Sequence, residues 1–75
     1  MPTRHRTLAA FGLNVRKRRE AQALTQEKLA EKSSLDTTYI SGIERGIRNP
    51  SLLSILRLAA ALEVPISELC EGIDA

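Results

Sequence analysis

Apolar residues recur at intervals of three and four over most of this chain, which is the spacing that places side chains on one face of an α-helix. Leu8, Phe11 and Val15 follow this spacing near the start of the chain, and Leu29 and Ala30 form the next apolar pair. The pattern predicts five helices, over residues 8–22, 26–33, 36–46, 52–62 and 65–70.

The third predicted helix has two unlike faces. At about 100° per residue, Tyr39, Ile43 and Ile47 lie within about 100° of Ile40, so this side can pack against a core. The other side carries small, polar and weakly basic positions: Thr37, Thr38, Ser41, Gly42 and Arg45. A helix with such a face can approach a hydrogen-bonding surface closely, and a DNA major groove just admits a helix of this width.

Residues with short, oxygen-bearing side chains precede three of the predicted helices. Thr25, Asp36 and Ser51 can each accept a hydrogen bond from a backbone N–H group in the first turn that follows. Arg45 followed by Gly46 is a stop signal for the third helix. The second and third helices therefore have defined limits with a short turn between them, which is the layout of a helix-turn-helix.

Three motifs occur in order at matching spacing: TQEKLA at 25–30, TYISGIERG at 38–46 and RNPSL at 48–52. They resemble the phage-repressor/Cro-like (XRE) DNA-binding domains, and within these the small controller proteins of restriction–modification systems. The resemblance covers roughly residues 8–70. It implies an all-α, five-helix lambda-repressor-like domain with the helix-turn-helix at helices 2 and 3, and control of the promoters of restriction–modification genes.

Short side chains dominate the face expected to read DNA bases. We assign base readout to five residues: Thr37, Thr38, Ser41, Gly42 and Arg48. A threonine hydroxyl can donate or accept and its methyl can contact thymine, but it makes no bidentate pair with one base. Proteins of the resembling family often carry Gln or Arg at the position of Thr37. Selectivity is therefore expected to come from DNA shape, from Arg48 or from an arginine of the N-terminal arm.

Contacts to the DNA backbone are assigned to a second set: Arg19, Thr25, Gln26, Tyr39, Arg45 and Asn49. Gln26 opens the second helix, where backbone N–H groups suit a phosphate, although it can equally be an ordinary exposed residue. The Tyr39 hydroxyl can reach a phosphate, or the residue can be a half-buried core tyrosine with a solvated tip, and both can hold together.

The resemblance also bears on two internal positions. Glu44 lies about 40° from Ile40 on the packed side of the third helix, where a carboxylate must find a partner or be protonated. The family implies an ion pair between Arg19 and Glu44 that orients this helix. The family often has Gly where this chain has Ala23, so the first turn is expected to be slightly strained or differently shaped.

The length of 75 residues fits one domain, assigned to residues 8–75, after a flexible basic arm at 1–7. Such a chain has a thin stability margin, which oligomerisation often increases. The single cysteine, Cys70, is expected to be buried and inert. With one Cys and one His, the composition predicts no disulfide, metal or cofactor. The lack of a disulfide framework suits a reducing cytoplasm, and no membrane span, signal peptide or small-molecule ligand is expected.

Charge is distributed unevenly although the net value is only +2. Residues 1–19 carry six Arg or Lys and no acid, while residues 49–75 carry one base and four acids. The start of the chain can therefore face a polyanion. Arg4 and Arg6 can reach phosphates or the minor groove, or the arm can be a solvated tail.

The fourth predicted helix has two apolar stripes. The core stripe is Leu52, Ile55, Leu58, Ala59 and Leu62. The second stripe, together with two residues of the fifth helix, predicts a dimer interface: Leu53, Leu56, Ala60, Ile66 and Leu69. We expect a two-fold homodimer, unless helix 5 covers the stripe within one chain.

No set of residues suited to catalysis is present, so an enzyme is not expected. The first hypothesis is a sequence-specific regulator that binds double-stranded DNA as a homodimer at a pseudo-palindrome. The alternative is a protein-interaction module of the same fold, such as an antitoxin, in which the second stripe binds another protein.

Overall fold

The computed structural model describes residues 5–73, which form helices joined by short turns, without β-strands. The helices within this range are α1 (Arg6–Ala21), α2 (Gln26–Ser33), α3 (Thr37–Glu44), α4 (Leu52–Leu62) and α5 (Ile66–Leu69). Their number and order agree with the sequence pattern.

Helix α1 begins two residues earlier than the apolar spacing predicts. The Nδ1 atom of His5 accepts a hydrogen bond from the backbone N–H of Thr7 at 3.1 Å and caps the helix. His5 as cap, with Arg6 and Thr7 as the first helical residues, therefore places the end of the assigned arm at the start of α1. The expected contribution of Arg4 lies outside the described residues.

The three predicted N-caps are confirmed. Thr25 Oγ1 accepts from Lys28 N at 3.0 Å, and Asp36 Oδ1 accepts from Thr38 N at 2.7 Å. Ser51 Oγ accepts from Ser54 N at 3.1 Å. Each cap of this kind contributes about 1 kcal/mol, and together they fix where three of the helices begin.

Helices α1 to α4 are each followed by a residue with positive φ. Three of these residues are not glycine: Ala23 (56°), Ser34 (58°) and Glu63 (57°), whereas Gly46 has φ 76°. At Ala23 the turn closes through hydrogen bonds from Ala23 N to Glu20 O and from Leu24 N to Arg19 O. The left-handed conformation costs a non-glycine residue about 1–2 kcal/mol, so strain is present at the turn where it was expected.

The core lies where α3 meets α1 and α2, with α4 and α5 completing it. The largest fully buried side chains are Val15, Leu29, Ile40, Ile43, Leu58, Leu62 and Leu69. Gly12 allows α1 to approach the end of α3, because a Cβ atom there would overlap the carbonyl oxygen of Ile43. The close approach fixes the position of α3, the helix expected to read DNA.

Most of the first half of α4 is exposed, although Ile55 packs against the core. Leu52, expected in the core stripe, is 68% exposed, because the buried residues of α4 begin only at Leu58. Leu53 is also 68% exposed and Leu56 is 47% exposed, and Ala60 is exposed as well. The second stripe therefore remains uncovered by the described part of the chain, and α5 does not fold over it.

Two expectations for the end of the chain are wrong. Leu69, expected at a partner surface, is fully buried because α5 packs against both α1 and α4. Ile66 packs against the same core but stays partly exposed, so its assignment to a dimer interface remains a prediction. Cys70, expected to be buried, is exposed, since α5 ends at Leu69 and Cys70 is its C-cap at the surface.

Candidate nucleic-acid interface

The turn between α2 and α3 has a defined geometry. Ser34 adopts the left-handed conformation, and Leu35 N donates to Ala30 O at 3.1 Å. Leu35 then packs against the core, and Asp36 caps α3. These contacts hold the first turn of α3 at the surface. In this turn Thr37 is partly exposed and Thr38 is exposed.

The hydroxyl groups expected to read bases are available. The side chains of Thr37, Thr38 and Ser41 make no hydrogen bond with another residue in the described range. Each can therefore donate to or accept from a base edge without breaking an internal contact.

The side chain of Arg48, from the loop after α3, lies over Gly42 on the surface of that helix. Gly42 is buried although it lies on the polar face, because the side chain of Arg48 covers it. A Cβ atom at Gly42 would overlap Arg48 Cγ and lie 3.3 Å from its Nε atom. Arg48 itself is exposed, so the surface at this point of the helix belongs to Arg48 and not to Gly42.

Glu44 joins α3 to α1 through the expected ion pair. Arg19 Nε donates to Glu44 Oε2 at 2.7 Å, and a terminal nitrogen of Arg19 donates to Oε1 at 3.0 Å. The hydrogen bond with Glu44 raises the pKa of Arg19 above its ordinary value, with burial acting against it and the charges of Glu44 and Glu20 adding to it. The pair holds the end of α3 against α1.

Arg19 is not presented to DNA, contrary to its assignment as a phosphate contact. Besides the two bonds to Glu44, it donates to the carbonyl oxygen of Leu24 at 2.7 Å. Its side chain is only 12% exposed. Its position on the core side of α1 directs it inward, where the buried carboxylate requires a cation.

Gln26 is also directed toward Glu44. Its Nε2 atom donates to Glu44 Oε1 at 3.0 Å, so one carboxylate links α1, α2 and α3. Sequence reasoning missed this contact, although a buried carboxylate has more acceptor sites than one arginine fills. The residue remains partly exposed, and its second amide hydrogen and its oxygen can still meet a phosphate.

Tyr39 is half-buried and its polar tip is engaged. Its hydroxyl donates to Ser54 Oγ at 3.3 Å, and Ser54 and Ser51 are linked by a 3.1 Å hydrogen bond. The structure thus has the partly buried tyrosine that was one of the two expectations. The three hydroxyls connect α3 to the first turn of α4.

The other assigned backbone contacts lie on the surface at both ends of the motif. Thr25 is exposed at the start of α2, and Arg45 and Asn49 are exposed at and beyond the end of α3. Arg45 Nε also donates to the carbonyl oxygen of Ser41 at 3.3 Å. Polar groups therefore flank the hydroxyl face of α3 on two sides.

Three of the four basic residues in the RKRR run of α1, at positions 16–19, form ion pairs with acidic side chains. Arg16 pairs with Glu20 at 3.1 Å and Arg18 with Glu68 at 3.4 Å, while Arg19 pairs with Glu44. The run is consequently not a continuous cationic surface.

None of the helices between residues 5 and 73 is long and apolar enough to cross a membrane. Over the same range, no three His, Cys, Asp or Glu side chains cluster in a way that could hold a metal ion.

Known proteins are similar to this chain in both sequence and structure. A helix-turn-helix family model matches residues 15–69. The control protein C.MunI of a Mycoplasma species is 42% identical over 65 residues, covering 85% of this chain and 88% of the relative. The control protein C.BamHI of Bacillus amyloliquefaciens is 45% identical over 62 residues, covering 81% and 76%.

The crystal structure of the restriction-modification controller protein C.AhdI from Aeromonas hydrophila superposes with a TM-score of 0.85 at 48% identity. The match covers 87% of this chain and 98% of that one. It confirms the predicted all-α fold.

Proposed function

Because the chain belongs to the XRE-type helix-turn-helix family of DNA-binding transcriptional regulators, we propose that it binds a pseudo-palindromic operator as a homodimer and controls restriction–modification genes. Its similarity to restriction–modification control proteins supports the choice of target genes. The family consists of transcriptional regulators and not of enzymes. We place the activity in the bacterial cytoplasm, on double-stranded DNA.

The observation that carries the proposal is the surface of α3. Thr37, Thr38 and Ser41 present hydroxyls with no internal partner, and Arg48 lies beside them. The helix is fixed from behind by Glu44, which binds α1 and α2. A rigid helix with an open polar face is what insertion into the major groove requires.

The uncovered stripe of α4 supports the homodimer. Leu53 and Leu56 expose apolar surface together with Ala60. A two-fold contact through this stripe would bury it on both chains. Two copies of α3 would then read half-sites about 34 Å apart, one helical turn of DNA.

Selection of bound sequences from a random duplex pool tests the proposal. We expect a two-fold symmetric consensus, and Thr37→Ala and Thr38→Ala should each relax one base position in each half-site. Asn49→Ala should weaken all sequences alike, since a phosphate contact carries no sequence information. The control is Lys17→Ala, because Lys17 borders α5 rather than α3 and should leave the consensus and affinity unchanged.

Recovery of no consensus would contradict sequence-specific binding. Binding to a random duplex should also weaken steeply as salt is raised, because cationic contacts to phosphates release counterions. An affinity that does not change with salt would exclude cationic contacts to phosphates as the basis for binding.

The same α4 stripe gives the alternative function its one supporting observation. In a protein-interaction module such as an antitoxin, the stripe would bind a different protein and the isolated chain would be monomeric. Light scattering separates the two possibilities, since the regulator should be dimeric without any partner.

A further inference from the structure

The end of α3 has a hydrogen-bonding pattern that normally brings two apolar side chains together. Ile47 N donates to Gly42 O at 3.0 Å and Gly46 N donates to Ile43 O at 3.0 Å, with Gly46 left-handed. This is a Schellman motif, in which the residue in the place of Ile47 often packs on the one in the place of Gly42. Gly42 has no side chain to receive it, and Ile47 is 54% exposed.

Arg48 takes the place that this missing side chain leaves. A Cβ atom on Gly42 would overlap Arg48 Cγ and come within 3.4 Å of its Cδ atom. The aliphatic part of Arg48 therefore lies directly on the backbone of α3. The guanidinium makes no ion pair or hydrogen bond with another described residue.

The contact of Arg48 with Gly42, called the seat below, lies on the face of α3 that the proposed function uses. At about 100° per residue, Thr38 lies about 40° from Gly42 and Arg45 about 60° from it. Arg48 reaches this strip from the loop that follows α3, and so adds a long side chain to a face otherwise composed of short ones. Its fork of N–H donors can hydrogen-bond to both the O6 and the N7 atom of one guanine. A single hydroxyl cannot make both hydrogen bonds.

We propose that Gly42 is a positioning residue that seats Arg48 across the reading face of α3, so that Arg48 contacts a guanine in the operator. This inference rests on the proposed function. An arginine held in place before binding loses less conformational freedom on reaching its base, so the seat increases affinity without itself touching DNA.

The first test measures the seat without DNA. In ¹⁵N relaxation of the unbound protein, the Arg48 Nε–H group should be more ordered than that of Arg57, an exposed arginine on α4. Gly42→Ala should reduce the order of Arg48 and leave Arg57 unchanged. Equal mobility of Arg48 in the wild type and Gly42→Ala would overturn the inference, whatever the protein does with DNA.

The second test is a double-mutant cycle on the selected operator. Gly42→Ala should weaken operator binding about three- to tenfold, and relax the same guanine position as Arg48→Ala does. In the Arg48→Ala background it should have no further effect. The melting temperature should not fall, because alanine is the better helix former and Arg48 can rotate away.

Matched variants complete the cycle. Ser41→Ala changes the neighbouring residue but not the seat, so its effect should add to that of Arg48→Ala. Arg48→Lys keeps the charge and loses the fork, and should also relax the guanine position. An unchanged effect of Gly42→Ala in the Arg48→Ala background would overturn the inference, whereas a wild type without a preferred duplex would overturn the proposed function.

Discussion

At the scale of single residues, Glu44 organises the motif through one carboxylate. Its side chain is 4% exposed and accepts hydrogen bonds from Arg19 on α1 and Gln26 on α2. Taking a charge out of water is costly, so the net stability of such a pair is modest while the loss of one partner is expensive. Its main effect is to fix α3 relative to the two helices behind it.

Replacing Glu44 with alanine should therefore leave Arg19 charged and without its carboxylate. We expect a loss of about 2–3 kcal/mol in the free energy of unfolding, measured by urea denaturation followed by circular dichroism. Operator affinity should fall as well, since α3 loses its link to α2.

Glu31→Ala is the matched control for this change. Glu31 also pairs with a base, Lys28, at 2.9 Å, but both side chains are more than half exposed. Solvent and salt screen such a pair, so its removal should leave the denaturation midpoint unchanged. Equal effects of the two substitutions would mean that burial of the Glu44 pair is unimportant.

At the scale of elements, the ends of the helices carry strain that the sequence only partly reveals. Each of α1, α2 and α4 is followed, within two residues, by a left-handed residue other than glycine. The turns need that conformation because the following residues, Leu24, Leu35 and Val64, pack against the core. Apolar anchoring thus holds these turns in a conformation that their own residues disfavour.

Ala23→Gly should stabilise the protein for this reason. Glycine removes the steric cost of φ 56° but loses more backbone entropy on folding, so the net gain should be about 0.5–1 kcal/mol. For a domain of this size, the melting temperature should rise by about 2–8 °C, measured by calorimetry.

The control for this prediction is Ala21→Gly, two residues earlier in the same chain. Ala21 is helical and has no positive φ, so glycine there should lower the melting temperature. Destabilisation by Ala23→Gly would show that its side chain makes a favourable contact that outweighs the strain.

At the scale of the whole molecule, the apolar stripe of α4 remains uncovered by residues 5–73. Leu53 and Leu56 lie on the side of α4 away from its buried residues, and α5 does not cover them. A small domain with a thin stability margin gains when it buries such surface against a second copy.

Leu56→Asp should break the homodimer. A carboxylate in an apolar two-fold contact would be desolvated and would face its own copy. We expect the mass from light scattering to fall from about twice the chain mass to the chain mass of 8.3 kDa, with weaker operator binding.

Leu13→Asp is a closely matched control, since Leu13 is 48% exposed and Leu56 is 47% exposed. Leu13 lies on α1, outside the stripe, and its replacement should leave the dimer intact. A monomeric wild type, or loss of the dimer in both variants, would contradict assembly through α4.

The sequence by itself determined the number and order of the helices, three of their N-caps and the hydroxyl-bearing face of α3. These features depend on local periodicity and on contacts within a few residues, as at Asp36 and Thr38. It also showed that Glu44 on a packed face needs a partner, and the family resemblance implied that this partner is Arg19.

Only the tertiary structure decided which side chains already have partners or are buried within the protein. Arg19 and Gln26 both turn inward to Glu44, Leu69 is buried between helices, and Leu52 extends beyond the core. Gly42 is covered by Arg48, although the two are six positions apart. Helical spacing gives the direction of a side chain from its own axis, but the packing of the other helices and loops determines what that side chain meets.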